Sequence, residues 1–563
     1  IVFMDGTTGR LFREFSIVVS GSVIISSFAA LTFTPMLATK LLIKREQQSW
    51  FYRKTEPFFE GMNRVYSQSL AAFLKRRWIA LPFTIVTILL IGVLWNTIPA
   101  EIAPLEDRSQ ISINTMGAEG VTYEYIRDYT EDINHLVDSI IPDAEAVTAR
   151  VSSGSGNVRI TLKDMKDRDY TQMEVAEKLS KAVQKKTMAR SFVQQSSSFG
   201  GRRGGMPVQY VLQATNIEKL QEVLPKFMTK VYENPVFQMA DVNLKFSKPE
   251  ARININRDKA SIMGVSTKNI AQTLQYGLSG QRMGYFYMNG KQYEILGEIN
   301  RQQRNKPADL KGIYIRSDNG NMVQLDNLIE LTGGIAPPKL YRYNRFVSAT
   351  ISAGLADGKT IGQGLDEMDK IAKETLDETF RTALTGDSKE YRESSSSLMF
   401  AFILAIVLIY LILAAQFESF KDPLIIMLTV PLAIAGALVF MYFGGITMNI
   451  FSQIGIIMLI GLVAKNGILI VEFANQKQEA GEDKMRAIKD ASLQRLRPIL
   501  MTSASTILGL IPLAYATGEG CNQRIAMGTA VVGGMLISTL LTMYIVPAIY
   551  SYVSTNRSKL KTE

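Results

Sequence analysis

The sequence holds one cysteine, Cys521, and one histidine, His135, in 563 residues. A lone cysteine excludes an internal disulfide framework and a cysteine-built zinc or iron–sulfur centre within the chain. A lone histidine excludes a multi-histidine metal site. His135 sits in Asn134-His135-Leu136 on a predicted helix, where a solvated or packed structural role fits better than a catalytic one. The sequence also lacks G-x-S-x-G, a Walker A loop, H-E-x-x-H and any nucleotide-binding loop. No residue is therefore assigned a catalytic role, and enzyme activity has no support. The first residues, Ile1-Val-Phe-Met-Asp, lack an initiator methionine and a signal peptide. We expect a piece that begins inside a larger protein.

Charge is sparse as well, at 20% against 47% hydrophobic residues. The apolar residues are clumped, and several long windows carry no charge, as membrane spans require. A purely soluble, a disordered and a fibrous chain are all excluded. Spans are predicted near 15–39, 78–97, 396–415, 424–443, 450–474, 498–516 and 525–553. Pro35 falls near the end of the first, which a membrane helix tolerates when neighbours satisfy the freed carbonyl.

The segment from Lys40 to Arg77 is rich in Lys and Arg against only Glu46, Glu56 and Glu60. Trp50, Phe51, Tyr52, Phe58, Phe59 and Tyr66 are interleaved with them. This mixture predicts an amphipathic helix on the membrane surface, on the cytoplasmic side by its positive excess. Alternation of the spans puts the loop with Lys477, Lys484, Arg486, Lys489, Arg495 and Arg497, and the tail Arg557-Ser-Lys-Leu-Lys, on that same side. Part of the net charge of +10 is thereby placed, and nucleic-acid binding becomes unnecessary. The polar block from about Ile98 to Ser395 then lies on the far side.

That block alternates strand and helix patterns. Strands are predicted at 110–114, 157–163, 209–214, 240–246, 251–256 and 346–353. Helices are predicted at 123–141, 173–186, 217–232, 267–277 and 360–373. Repeated β-α-β units of this size imply ferredoxin-like α+β sandwiches, with a strand- and turn-rich subdomain inserted at 252–335. Gly200-Gly-Arg-Arg-Gly-Gly205 reads as a basic linker between two such units.

One residue conflicts with its surroundings. Lys465 lies near the middle of the fifth span, and an ammonium there costs on the order of 3 kcal/mol on insertion scales. Apolar residues on both sides prevent it from reaching either interface. It should face the bundle interior with a partner, yet no Asp or Glu lies in the interior of any predicted span, the one acid of the fifth being Glu472 near its cytoplasmic end. Glu472 is seven residues on, about 10 Å along the axis. The partner is thus absent from the chain, or the lysine is neutral, or it bonds only polar neighbours. Asn466, Thr502, Ser503 and Arg495 are the polar groups within range. A lysine that exchanges a carboxylate contact when a proton arrives is a plausible coupling device, with the Thr502 hydroxyl as acceptor in one state.

At these residues the chain resembles the resistance-nodulation-division (RND) transporters, most of all the hydrophobe/amphiphile efflux pumps of Gram-negative bacteria. The resemblance covers the whole chain. It rests on Gly461-Leu-Val-Ala-Lys-Asn-Gly-Ile-Leu-Ile-Val-Glu-Phe-Ala474, Arg495-Leu-Arg-Pro-Ile-Leu-Met-Thr-Ser503, Gln416-Phe-Glu-Ser419 and Gly528-Thr-Ala-Val-Val-Gly-Gly-Met535. Such proteins are about twice this length and carry twelve spans in two repeats. The resemblance implies that 1–40 holds the last span of the first repeat and 41–77 the cytoplasmic helix. It makes 78–98 the next span, 99–206 a first porter subdomain, and 207–251 with 337–395 a second. Residues 252–336 become the docking subdomain, 396–553 a five-helix bundle and 554–563 a cytoplasmic tail.

It further implies a proton-driven homotrimer of the inner membrane. Lys465, Thr502, Arg495 and the adjacent Asn466 would form the proton relay, with no cofactor beyond the proton gradient. The expected partners are a periplasmic adaptor, an outer-membrane channel, membrane lipids and a missing N-terminal half carrying two relay aspartates. The segment Val151–Asn157 stands where drug exporters carry a longer loop rich in Phe. Here it has no Phe, and Arg159 follows, which weakens the case for a wide aromatic drug pocket. Phe192, Phe199, Tyr210 and Arg159 are the remaining candidates for a substrate path, although strand packing explains the rings about as well. The alternatives are an RND exporter of lipids or metal ions, disfavoured for metals by dispersed methionines, and a non-transporting scaffold or protein-export accessory.

Overall fold

The computed structural model describes residues 6–41, 50–195, 206–337, 339–356 and 358–555. The chain divides into two units. One comprises Ile1–Met116, Arg127–Asn243 and Arg342–Glu563, and the other Gly117–Ile126 and Leu244–Tyr341.

The first unit opens with α1 (Gly6–Leu41), α2 (Trp50–Lys75) and, after a short turn at Arg77–Ile79, α3 (Ala80–Thr97). In α2 the apolar positions fall on one stripe. Tyr66, Leu70 and Leu74 are buried against the helical bundle, and the Tyr66 hydroxyl donates to the Met543 carbonyl at 2.6 Å. The predicted surface helix is therefore also a packed one.

A first sheet follows, built from β1 (Gln110–Met116), α4 (Tyr123–Ile140), β2 (Ala146–Ser152), β3 (Ser155–Thr161), α5 (Gln172–Gln184) and β4 (Arg190–Gln195). Its strand order is β2-β3-β1-β4, antiparallel throughout. Ile111 and Ile113 of β1 point inward at a spacing of two, and Tyr129, Ile133 and Val137 of α4 meet them at helical spacing. The segment Val151–Asn157 is a tight hairpin around Gly154, at φ +84°, a conformation that glycine adopts without strain.

The second sheet begins with β5 (Val208–Ala214), α6 (Ile217–Glu233) and β6 (Phe237–Val242). The chain then enters the second unit, which holds β7 (Lys248–Ile255), α7 (Arg257–Ile262), α8 (Thr267–Leu278), β8 (Gln281–Met288), β9 (Lys291–Gly297), β10 (Tyr314–Arg316), β11 (Met322–Gln324) and β12 (Ile329–Ala336). These strands pair as β7–β12, β8–β9 and β10–β11. A small core of Ala260, Val265, Ile270, Ile315, Leu325 and Leu328 holds it. The unit is wider than the sequence pattern placed it, because Gly117–Ile126 joins from a distant part of the chain. Within it the Arg301 guanidinium grips both oxygens of Glu124, at 2.5 and 2.8 Å. This holds the Glu124 carboxyl down at about 2.

Back in the first unit, β13 (Arg342–Tyr343), β14 (Phe346–Leu355), α9 (Ile361–Thr375) and β15 (Arg381–Leu384) complete the second sheet. β14 lies between β5 and β6, and β15 takes the far side of β5. Leu220, Leu224, Phe227 and Val231 of α6 cover it, each worth about 1.5–3 kcal/mol over an exposed position. The predicted elements of both sheets appear within a few residues of their expected ends. β2, β4 and β15 escaped the sequence pattern; β2 and β15 keep mostly exposed or half-buried side chains and so lack clear alternation.

The bundle then runs through α10 (Gly386–Phe417), α11 (Lys421–Met427), α12 (Thr429–Phe443), α13 (Ile450–Glu479), α14 (Lys484–Ala514) and α15 (Cys521–Val553). Among the described residues seven helices are long and apolar enough to cross a membrane: α1, α3 with its preceding turn, α10, α11 with α12, α13, α14 and α15. Small residues let the central helices approach. A Cβ on Gly436 of α12 would lie 3.0 Å from the Gly533 carbonyl oxygen of α15, and one on Gly533 would overlap the Phe440 side chain. Such contacts replace the hydrophobic drive that lipid removes.

The linker after α3 is fastened to the bundle. Met448 and Ala100 form a parallel bridge, and the Thr447 hydroxyl donates to Glu101. Glu106, only 1% exposed, accepts the amides of Asn522 at 3.3 Å and Gln523 at 2.9 Å. A carboxylate thus caps the α15 N-terminus, where its charge is favoured.

Candidate functional site: a lysine inside the helical bundle

α13 starts on a capping box, Asn449 with Ser452, and then runs apolar for almost its whole length. Lys465 interrupts that run and is half-buried. Its ammonium donates to the Thr506 hydroxyl of α14 at 3.3 Å. The Thr506 hydroxyl donates in turn to the Thr502 carbonyl at 2.8 Å, which leaves an oxygen lone pair facing the lysine. No carboxylate among the described residues stands close to Lys465.

The neighbours expected from sequence are distributed differently. Thr502 turns its hydroxyl back onto the Ile499 carbonyl at 3.1 Å, so Thr506, one helical turn further, makes the lysine contact. A spacing of four on the same face was the signal available for it. Asn466 is fully buried, and its amide reaches Ser503 and Thr539, each at 3.4 Å. Arg495 lies over the Phe473 ring at 4.3 Å. Phe473 is eight residues beyond Lys465, or about 12 Å along the axis, so Arg495 belongs to the helix end and not to the lysine's first contacts. Glu472 accepts from Gln476 at 2.9 Å.

The face that carries Lys465 is open. Gly461 on α13, with Thr502 and Ser505 on α14, is exposed. Polar atoms on such a face can bind another polar segment at little cost, since unsatisfied groups in hydrocarbon are expensive.

A buried acid does exist in the bundle. Asp422 falls between the third and fourth predicted spans, yet it sits in the first turn of α11 and is 2% exposed. The Asn475 amide donates to it at 3.1 Å, Tyr550 donates to the Asn475 carbonyl, and Gln478 donates to Tyr550 at 2.6 Å. Asn475 is ten residues from Lys465, about 15 Å along α13, so this network is separate from the lysine.

Of the substrate-path candidates, Tyr210 is a core residue at 2% exposure. Its ring stacks on Phe227 and its hydroxyl donates to Asp369 at 2.9 Å, so no ring face is left for a ligand. Burial pushes its phenol above the usual range. Phe192 is half-buried on β4 opposite Asn114, and Arg159 is exposed on β3. Phe199 and the glycine-rich segment around it lie outside the described residues. His135 is exposed on α4.

Seven apolar helices with an ammonium embedded between two of them define a multi-pass membrane protein. Residues 1–554 match the model of the AcrB/AcrD/AcrF family, and the chain belongs to that family of RND permeases. It is similar to an uncharacterized transporter of Haemophilus influenzae (strain ATCC 51907 / DSM 11121 / KW20 / Rd), with 31% identity over 570 residues. That match takes in all of this chain and 55% of the relative, so the chain spans about half the length of the curated relative it matches.

Proposed function

We propose that this chain supplies the cation half of a proton-coupled export machine for amphiphilic or hydrophobic compounds in the Gram-negative inner membrane. The carrying observation is Lys465, whose ammonium has a threonine hydroxyl as partner on an otherwise open polar face. A helix beyond these seven brings a carboxylate to that face. With the carboxylate ionised, Lys465 pairs with it; protonation removes the attraction, Lys465 falls back on Thr506, and α13 and α14 shift relative to the incoming helix.

The two sheets fit this reading as porter subdomains of ferredoxin-like topology, with spatial order 2-3-1-4 in each four-strand set. The second unit serves as the docking subdomain toward an outer channel and adaptor, in a homotrimer.

The test is proton-driven uptake of an amphiphilic dye into proteoliposomes or inverted vesicles holding the complete protein. Lys465→Met should abolish dye transport while the protein still inserts at normal levels. Undiminished transport refutes the proposal, and a wild type that moves no substrate under a pH gradient favours a scaffold.

A further inference from the structure

At the bundle end opposite the sheet linkers, basic side chains from two elements reach the end of α15, with a third basic side chain nearby. The Arg77 guanidinium lies over the Tyr552 ring at 4.5 Å and donates to the Ser551 hydroxyl at 3.2 Å. The Lys484 ammonium, at the start of α14, donates to the Ser554 carbonyl at 2.5 Å. Lys484 lies within electrostatic reach of Arg77, Lys421 and Asp422. Arg77 and Lys484 are half-buried, and Lys421 is exposed.

The acids nearby do not balance these charges. Asp422, hydrogen-bonded by Asn475, offsets one of the three cations at most. Asp483 caps the Met485 amide at 3.1 Å. Glu482 pairs with Lys477 at 2.9 Å. The carbonyl end of α15 contributes roughly half a negative charge, which together with Asp422 still leaves more than one of the three positive charges unmatched. Like charges held together by neutral acceptors repel, and an anion between them removes that penalty.

The surroundings identify the anion's carrier. Trp78, next to Arg77, is 64% exposed. Below it along α3, Leu81, Ile85, Ile88 and Leu89 are also exposed. Tyr552 and Val553 border the same cluster on α15. An aromatic belt above an apolar stripe is the signature of a membrane interface, and basic pockets between helices at this level bind anionic head groups.

We propose that Arg77, Lys484 and Lys421 form a binding site for the phosphate of an anionic phospholipid, whose acyl chains lie along the exposed face of α3. The lipid would tie the α2–α3 junction to the ends of α14 and α15. The site is separate from the Lys465 face, and its test does not depend on transport.

The experiment is native mass spectrometry of the complete, detergent-solubilised protein titrated with phosphatidylglycerol, phosphatidylcholine or inorganic phosphate. Wild type should bind phosphatidylglycerol in preference to phosphatidylcholine. Neutralisation by R77Q with K484Q should weaken phosphatidylglycerol binding about 25-fold, at roughly fivefold per basic charge, and R77K with K484R should retain it. Exposed Lys421→Gln, which leaves the packing untouched, should cost about fivefold and covers the case in which the double variant does not fold. Equal phosphatidylglycerol binding in wild type and these neutral variants overturns the proposal. So does displacement of the lipid by millimolar inorganic phosphate, which would make the site one for free phosphate.

Discussion

Lys465 and Thr506 face each other across α13 and α14, ammonium to hydroxyl, at 3.3 Å. The hydroxyl proton of Thr506 is committed to the backbone carbonyl of Thr502, so Thr506 can only accept from the lysine. The pair is directional, and its strength is that of a hydrogen bond to a charged group, about 1.5–3 kcal/mol.

Thr506→Val removes this acceptor and keeps the side chain's shape. In the transport reading it should depress proton-driven dye transport, and more than Thr502→Val does, since the Thr502 hydroxyl points back to its own helix. Transport assays on the two variants, at matched protein levels, decide the order. A larger loss for Thr502→Val would mean that the threonines exchange roles during the cycle.

The glycines between α12 and α15 set a steric limit. Gly533→Leu places its side chain into Phe440, and overpacking of this kind costs about 1–3 kcal/mol or more. The expected outcome is a lower melting temperature in detergent, with Gly461→Ala as the control, because a Cβ at Gly461 meets nothing within 4 Å.

Glu106 is the cap of α15. Glu106→Ala should destabilise by about 1–2 kcal/mol, and Glu106→Gln, which keeps one acceptor oxygen, by less. Hydrogen exchange at the Asn522 and Gln523 amides reports the loss directly. Unchanged protection in Glu106→Ala would show that the cap does not hold that turn.

Glu101 gives a pH signature. Burial raises its carboxyl above the usual range, with the Thr447 hydroxyl opposing part of the shift. A raised acid is more easily protonated in the folded state than in the unfolded one. Its contribution to stability is therefore complete below the unfolded value near 4.3 and is lost as pH rises through the folded value. The difference in melting temperature between wild type and Glu101→Gln should shift in favour of Gln as pH rises from 4 to 7. A difference that does not change with pH would contradict the assignment.

Much of this architecture was readable from the residues alone. Uncharged runs mark the spans because backbone and side chains must both be satisfied without water. A charge such as Lys465 stands out against them for the same reason. Alternation of two and recurrence of three to four marked the strands and helices of the sheets, since each buries one face. These are local properties, carried by neighbours along the chain.

The choice between partners is not local. Thr502 and Thr506 share a helix face, and only the axial register of α14 against α13 selects Thr506. Asp422 lies between two predicted spans in the sequence, and only the packing of α11 buries it against Asn475. Tyr210 is indistinguishable from a pocket residue in sequence, and becomes a core residue only when α6 and α9 close over β5. The sequence by itself determined which segments cross or leave the membrane and which charge is out of place there. Tertiary structure decided what each polar group touches, because a hydrogen bond depends on distances between elements that periodicity along one element does not encode.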